Sequence, residues 1–193
     1  NYDGLAGRPN VNRVWDRWYM VRNQNMGVNN GPLTTDRPHQ LKAWGSYVFP
    51  FNLTLGFFAS GMSGVPVNRS LGVPEDMMID GRLSDGRTPF LFFTNLYAEY
   101  NLRIGPDYVI QFNANVDNVF DIATAQQIYE GMATDYITLT DELLAQGFTV
   151  NASNNTVTDA NGTVHTYNPD PRFLKEYDFY DPISIRLGLK FIF

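Results

Sequence analysis

The chain has no cysteine. Disulfide frameworks, thiolate zinc sites and cysteine nucleophiles are thereby excluded, and the absence suits a chain that crosses an oxidising periplasm. Histidine is scarce, with only His39 and His165. His39 follows Pro38 at the mouth of a predicted strand, and His165 lies in a predicted loop. Neither has the convergent partners that a metal or catalytic centre needs, so both read as rim or surface side chains, and no metal or cofactor is expected. Lys and Arg number 14 against 20 Asp and Glu, a net charge of −6. Nucleic acid is therefore not an expected partner, since such binders usually carry a basic face. No stretch reaches the ~20 consecutive apolar residues of a membrane helix. That leaves open a transmembrane strand, which needs only ~9–11 residues with apolar character at every second position. Such a pattern averages to an unremarkable mean hydropathy, here −0.26. The first residue is Asn1, with no signal peptide after it, which reads as a processed or partial chain.

What is present is alternation, the mark of strands with two chemically different faces. Over 39–49, Leu41, Ala43, Gly45, Tyr47 and Phe49 share one parity, with Gln40, Lys42, Trp44 and Ser46 on the other. Over 53–62, Leu53, Leu55, Phe57 and Ala59 oppose Thr54, Gly56 and Ser60, with Phe58 the exception. The stretch 91–104 sets Leu96, Ala98, Tyr100, Leu102 and Ile104 against Asn95, Glu99, Asn101 and Arg103. A strand over 108–120 sets Tyr108, Ile110, Phe112, Ala114 and Val116 against Gln111, Asn113, Asn115 and Asp117. The last, 183–193, sets Ile183, Ile185, Leu187, Leu189, Phe191 and Phe193 against Ser184, Arg186, Gly188 and Lys190.

A soluble antiparallel sandwich gives the same alternation. Three features favour a membrane. The strands exceed the ~5–6 residues usual in globular sheets. Minimal turns at 50–52 and 105–107 alternate with long connections at 63–88 and 121–181, the barrel pattern of short periplasmic turns and long external loops. Aromatic residues crowd the short-turn side, at Tyr47, Phe49, Phe51, Tyr108, Phe191 and Phe193, where interfacial girdles need rings. Lys42, Glu99, Arg103, Gln111, Asn113, Asn115, Asp117, Arg186 and Lys190 then face the lumen. In a sandwich they would face bulk water, so parity alone does not decide. Five strands cannot close a barrel of the usual even number, so further strands are expected before Asn1, with 1–37 as external loop.

The run Thr35-Asp36-Arg37-Pro38-His39-Gln40-Leu41-Lys42, followed by Gly45-Ser46-Tyr47, resembles the late barrel of TonB-dependent receptors. It is most similar to their Oar-like, OmpA-related subgroup. Asn1-Tyr2-Asp3-Gly4-Leu5-Ala6 and Pro9-Asn10-Val11-Asn12-Arg13 resemble the preceding loop of that subgroup. Asn115-Val116-Asp117-Asn118-Val119-Phe120-Asp121 resembles the ending of their penultimate strand, and Arg186-Leu187-Gly188-Leu189-Lys190-Phe191-Ile192-Phe193 their final strand. The resemblance covers most of the chain except 122–180. It implies an all-β fold, the C-terminal strands of a 22-stranded transmembrane β-barrel with an N-terminal plug. It also implies energised transport of a large substrate in the bacterial outer membrane. The implied partners are the lipid bilayer, the rest of the barrel and its plug, the TonB complex, and the barrel-assembly machinery reading Phe191 and Phe193. A surface lipoprotein partner is left open.

Four acids, Glu75, Asp76, Asp80 and Asp85, offer oxygens of the kind Ca²⁺ takes, but the spacing fits no EF-hand and a solvated loop is favoured. Asn161-Gly162 between Thr156-Val157-Thr158 and Thr163-Val164-His165 predicts a type I′ hairpin. Thr140 is a candidate N-cap for a short helix that Gly147 could end. Trp15, Trp18 and Tyr19 are candidate ligand-binding aromatics, weighed evenly against loop packing. The alternative function is a passive porin or a barrel scaffold for surface loops. An enzyme is not expected, because no nucleophile–base arrangement is visible.

Overall fold

The computed structural model describes residues 21–73 and 76–193. Trp15, Trp18, Tyr19 and Glu75 fall outside the described residues. In chain order the elements are β1 (Gln40–Val48), β2 (Leu53–Met62), β3 (Ser70–Gly72), β4 (Asp76–Met78), β5 (Leu91–Ile104), β6 (Tyr108–Asp117) and β7 (Ala125–Ile128). There follow α1 (Asp141–Gln146), β8 (Thr149–Asn151), β9 (Thr156–Thr158), β10 (Val164–Thr166), β11 (Glu176–Phe179) and β12 (Ser184–Ile192). Strands dominate, and no helix among the described residues is long and apolar enough to cross a membrane. That says nothing of crossing by strands.

The chain divides into two compact units. One comprises Arg37–Gly64, Pro89–Gln126 and Asp178–Phe193. It is a five-stranded antiparallel sheet in the order β1-β2-β5-β6-β12. Apolar, β-branched and aromatic residues at alternate positions favour the pleated form, and two tight turns fix the pairing. Between β1 and β2, the Asn52 amide donates to the Phe49 carbonyl at 3.2 Å, with Asn52 at φ +62°. Between β5 and β6, Gly105 takes φ +69°, a conformation that glycine adopts without a Cβ penalty. β6 stops at Asp117, short of the expected Phe120, because Asn118 turns the backbone to φ +48°. The antiparallel order puts both tight turns at one end of the sheet and both long connections at the other.

The other unit comprises the described part of 1–36 with Val65–Thr88 and Gln127–Tyr177. It contains the ribbon β3-β4 and the small sheet β10-β9-β8. Here the structure differs from the single barrel domain with polar loops that the sequence suggested. The long connections supply Leu71, Val73, Met77, Ile79, Met132, Ile137, Leu139, Leu144, Phe148, Val157 and Tyr167 to one buried core. These residues follow no single period, so the pattern that reveals strands misses them. Helix α1 forms as its caps predict: Thr140 accepts from the Leu143 amide, and the Gly147 amide donates to the Leu144 carbonyl at φ +86°. Strands β11 and β7 pair as a separate two-stranded ribbon.

Candidate functional site

The five-stranded sheet is the feature on which function turns, because its register makes two continuous and opposite faces. One row runs Tyr47, Leu55, Ala98, Ala114 and Leu187 across all five strands. Leu41, Phe57, Leu96, Tyr100, Leu102, Ile110, Phe112, Val116, Ile185 and Leu189 share that face by the same pairing. No Asp, Glu, Lys or Arg stands on it. Its side chains are bare, Leu187 at 80% exposure and Leu189 at 70%. Each buried leucine is worth ~1.5–3 kcal/mol, and a soluble sandwich would collect that against a second sheet. Within this unit nothing covers the face, and apolar patches of such extent mark binding or membrane surfaces.

Aromatic rings bound the apolar face at both ends. At the tight-turn end, Tyr47 meets Phe49 edge-on at 4.7 Å, Phe49 lies 5.2 Å from Phe51, and Phe191 lies 5.9 Å from both Tyr108 and Phe193. At the other end, Phe92 stacks on Phe120 at 6.4 Å, and the Phe90 ring lies over Gly61. Sequence reading missed this second band. The signal available was Phe90 and Phe92 at one parity where β5 begins. From Phe92 to Ile104, the neighbour of Tyr108, is roughly 40 Å along the strand. At the ~35–45° tilt of barrel strands this becomes roughly 28–33 Å, near the ~25 Å apolar band of a membrane barrel.

The opposite face carries every predicted polar residue of the sheet: Lys42, Glu99, Arg103, Gln111, Asn113, Asn115, Asp117, Arg186 and Lys190. The structure brings several together. Tyr97 donates its hydroxyl to Glu99, the Asn101 amide donates to Glu99 Oε1 at 2.9 Å, and the Gln111 amide donates to Asn101 Oδ1 at 3.0 Å. Arg186 pairs with Asp117 at 2.6 Å, and the Ser184 hydroxyl donates to the same carboxylate oxygen at 3.3 Å. Asn113 lies across Gly188, where any Cβ would collide with its amide. Lys42 and Arg103 have no ion-pair partner among the described residues. Phe58, the exception in parity, lies 5.9 Å from Phe93, which stacks on Tyr180 at 4.6 Å. Trp44, directly opposite Phe58 on β1, stands 73% exposed.

The motif residues prove to be fasteners. Arg37 donates to the Ser63 carbonyl at 2.7 Å, tying the start of β1 to the end of β2. Asp36 pairs with Arg87 at 2.6 Å. In the second unit, two of the four acids weighed for calcium are paired: Arg69 meets Asp85 at 2.7 Å and Asp80 at 3.2 Å. Among the described residues no cluster of three or more His, Asp or Glu is arranged to hold a metal. Burial pushes the Glu130 carboxyl up, against the opposing pull of the Asn68 amides that donate to it.

The 156–166 hairpin is a correction in detail. Gly162 alone takes positive φ (+83°) and its amide donates to the Asp159 carbonyl, so the turn is not type I′, which needs two such residues. Asp159 shapes it, accepting the Asn161 and Thr163 amides at 2.9 Å each and facing His165 Nε2 at 3.1 Å.

The chain is similar to the TonB-dependent transporter Oar of Myxococcus xanthus. The two are 27% identical over 146 residues, which covers 67% of this chain and 13% of that protein. The chain thus spans a small part of that relative's length. No protein-family model matches the chain, and no solved structure does. The likeness to Oar supports a relation to part of a TonB-dependent receptor, in agreement with an all-β chain of long antiparallel strands.

Proposed function

We propose that this chain forms part of the wall of an outer-membrane β-barrel that acts as a TonB-dependent transporter. The observation that carries the reading is the bare, charge-free face of the sheet, bounded by two aromatic bands at membrane spacing. On this reading the apolar face meets lipid and the polar face, with Lys42, Glu99, Arg103, Asp117, Arg186 and Lys190, lines the lumen. Strands β1 and β12 are the sheet's edges. Unpaired backbone groups in lipid cost several kcal/mol each, so further strands close the barrel, 22 in all by the resemblance. Similarity to Oar favours a plugged, energised transporter that engages the TonB complex, with Phe191 and Phe193 read during assembly. The role is transport rather than catalysis.

The test takes the protein at its full encoded length. It should fractionate with outer membranes, resist carbonate extraction and show a heat-modifiable band on gels. Recovery in the soluble fraction, with no mobility change on heating, would sink the membrane reading. In planar bilayers a plugged transporter stays closed, whereas steady open conductance would favour the passive porin. One observation favours a second reading. The long connections fold around their own core, as a platform for a surface partner such as a lipoprotein would. Its test is co-purification of a stoichiometric surface protein that is lost when 127–177 is deleted.

A further inference from the structure

The terminal strand poses a register problem that its hydrophobic pattern cannot solve. Strand β12 pairs with β6 so that Ala114 faces Leu187, Phe112 faces Leu189 and Val116 faces Ile185. The alternating pattern forbids a one-residue slip, which would turn every apolar side chain to the polar face. It does not forbid a two-residue slip. Every second residue from Ile183 to Phe193 is apolar, so Ala114 would be equally served by Ile185 or Leu189. The ion pair decides against one slip only: with Ile185 opposite Ala114, Arg186 would stand opposite Asn113, out of reach of Asp117. Sliding β12 the other way, so that Leu189 meets Ala114, sets Arg186 directly opposite Asp117, and that attraction survives. No short turn fixes the pairing, because the chain makes a long excursion between Asp117 and Ser184.

Inside the strand, Gly188 leaves room for the Asn113 amide, where either slip would bring the Cβ of Arg186 or Lys190. A set of bonds just beyond the strand ends selects the same register. Asn118 leaves the sheet at φ +48°, with 1% exposure. Its backbone amide is fixed by Asn95 Oδ1 at 3.0 Å, and its Oδ1 accepts the Ile122 amide at 3.2 Å. Its Nδ2 donates to the Asp181 carbonyl at 2.8 Å. Three residues on, Asp121 takes φ +51° and its Oδ1 accepts the Ile183 amide at 2.9 Å. The Tyr180 amide donates to the Thr124 carbonyl at 2.8 Å. The returning chain is therefore gripped at 180, 181 and 183, immediately before β12 begins.

We propose that Asn118 and Asp121 form a clamp that sets the register of the C-terminal strand, selecting the observed pairing over its two-residue slips. The clamp is held from the β5 and β6 side: the Asn95 side chain and the Ile122 amide fix Asn118, which aims its Nδ2 donor at the Asp181 carbonyl. This gives the Asn118-Val119-Phe120-Asp121 motif a positioning role that is separate from transport itself, and it rests only on the sheet, whatever cargo the barrel carries.

The chain holds no cysteine of its own, so introduced pairs can be tested against a parent in which any cysteine elsewhere in the full-length protein is replaced by serine. Paired cysteines at Ala114 and Leu187 report the observed register, and pairs at Ala114 with Ile185 or with Leu189 report the two slips. Cross-linking is read in membranes of cells expressing the full-length protein, on the heat-modifiable fraction only, so that unfolded chains do not count. In the parent the Ala114→Cys/Leu187→Cys pair dominates. With Asn118→Ala and Asp121→Ala together, the ratio of native to slipped cross-links falls by roughly tenfold or more, as loss of two side-chain hydrogen bonds requires. Single variants fall between, and Asn118→Asp, which loses the Nδ2 donor but keeps the acceptor, resembles Asn118→Ala. If the double variant yields no folded fraction, the single variants carry the same ratio test. An unchanged ratio in folded protein overturns the proposal, even if the amount of folded protein drops. Failure of the membrane reading would show instead as no heat-modifiable band in the parent.

Discussion

Gly147 ends α1 at φ +86°, and a Cβ added there would stand 3.0 Å from the Gln24 backbone carbonyl. That same carbonyl accepts the Phe148 amide at 2.9 Å, so it cannot readily move aside. Gly147→Ala is expected to cost about 1–3 kcal/mol, the range for a non-glycine residue forced into such backbone. Hydrogen exchange at the Leu144 and Phe148 amides should accelerate accordingly, and unchanged protection would refute the argument. Asp159 gives a pH-dependent case. The His165 ring, then the amides of Thr163 and Asn161, hold its carboxyl below the usual carboxylate range. An acid with a lowered folded pKa contributes stability above its unfolded value, and loses it as pH falls through the folded value. Protection of the Asn161 and Thr163 amides should therefore persist at neutral pH and fade on strong acidification. Asp159→Asn should remove that acid dependence. The sequence showed the Asn161-Gly162 turn but not this role of Asp159, because a carboxylate's contact with a side chain six residues on depends on how the hairpin closes.

At the scale of the element, parity decides how a charge is tolerated. Ala98 lies on the apolar face of β5, midway between Phe92 and Ile104. Ala98→Arg should lower the stability of the folded barrel by about 2–4 kcal/mol, as for arginine near a bilayer midplane. Ser46 stands on the polar face of β1, opposite Gly56, and Ser46→Arg should stay within about 0.5 kcal/mol. Urea titration of the heat-modifiable form distinguishes the two, and equal penalties would argue that both faces meet water. Strands were legible because a period of two survives any tertiary context. Their ends were less so: β6 gives way at Asn118, where three side-chain hydrogen bonds and one from the backbone amide outweigh further pairing.

At the scale of the molecule, the long connections have a core of their own, centred on side chains such as Leu144, Met77 and Leu71, each at 1% exposure or less. Leu144→Ala should destabilise that unit by about 2–5 kcal/mol through the cavity it leaves. Protease cleavage within 127–177 should rise steeply while the heat-modifiable band of the sheet persists. Simultaneous loss of both would show that the two units unfold as one. A folded connection of this kind was not legible beforehand, since its apolar residues come from separate segments and reach one another only through tertiary contact.

The sequence alone determined which residues alternate, hence the five strands, their apolar parity and the face that gathers Lys42, Glu99, Arg103, Asp117, Arg186 and Lys190. That much is local: the backbone's period of two sends neighbours to opposite sides whatever surrounds them. Tertiary structure decided what depends on distant segments meeting. It set β12 beside β6 in one register among several of equal hydrophobic merit, completed the second aromatic band with Phe120, and folded the long connections around a core. In each case the deciding interactions join residues tens of positions apart, and only closure of the chain brings their atoms within reach.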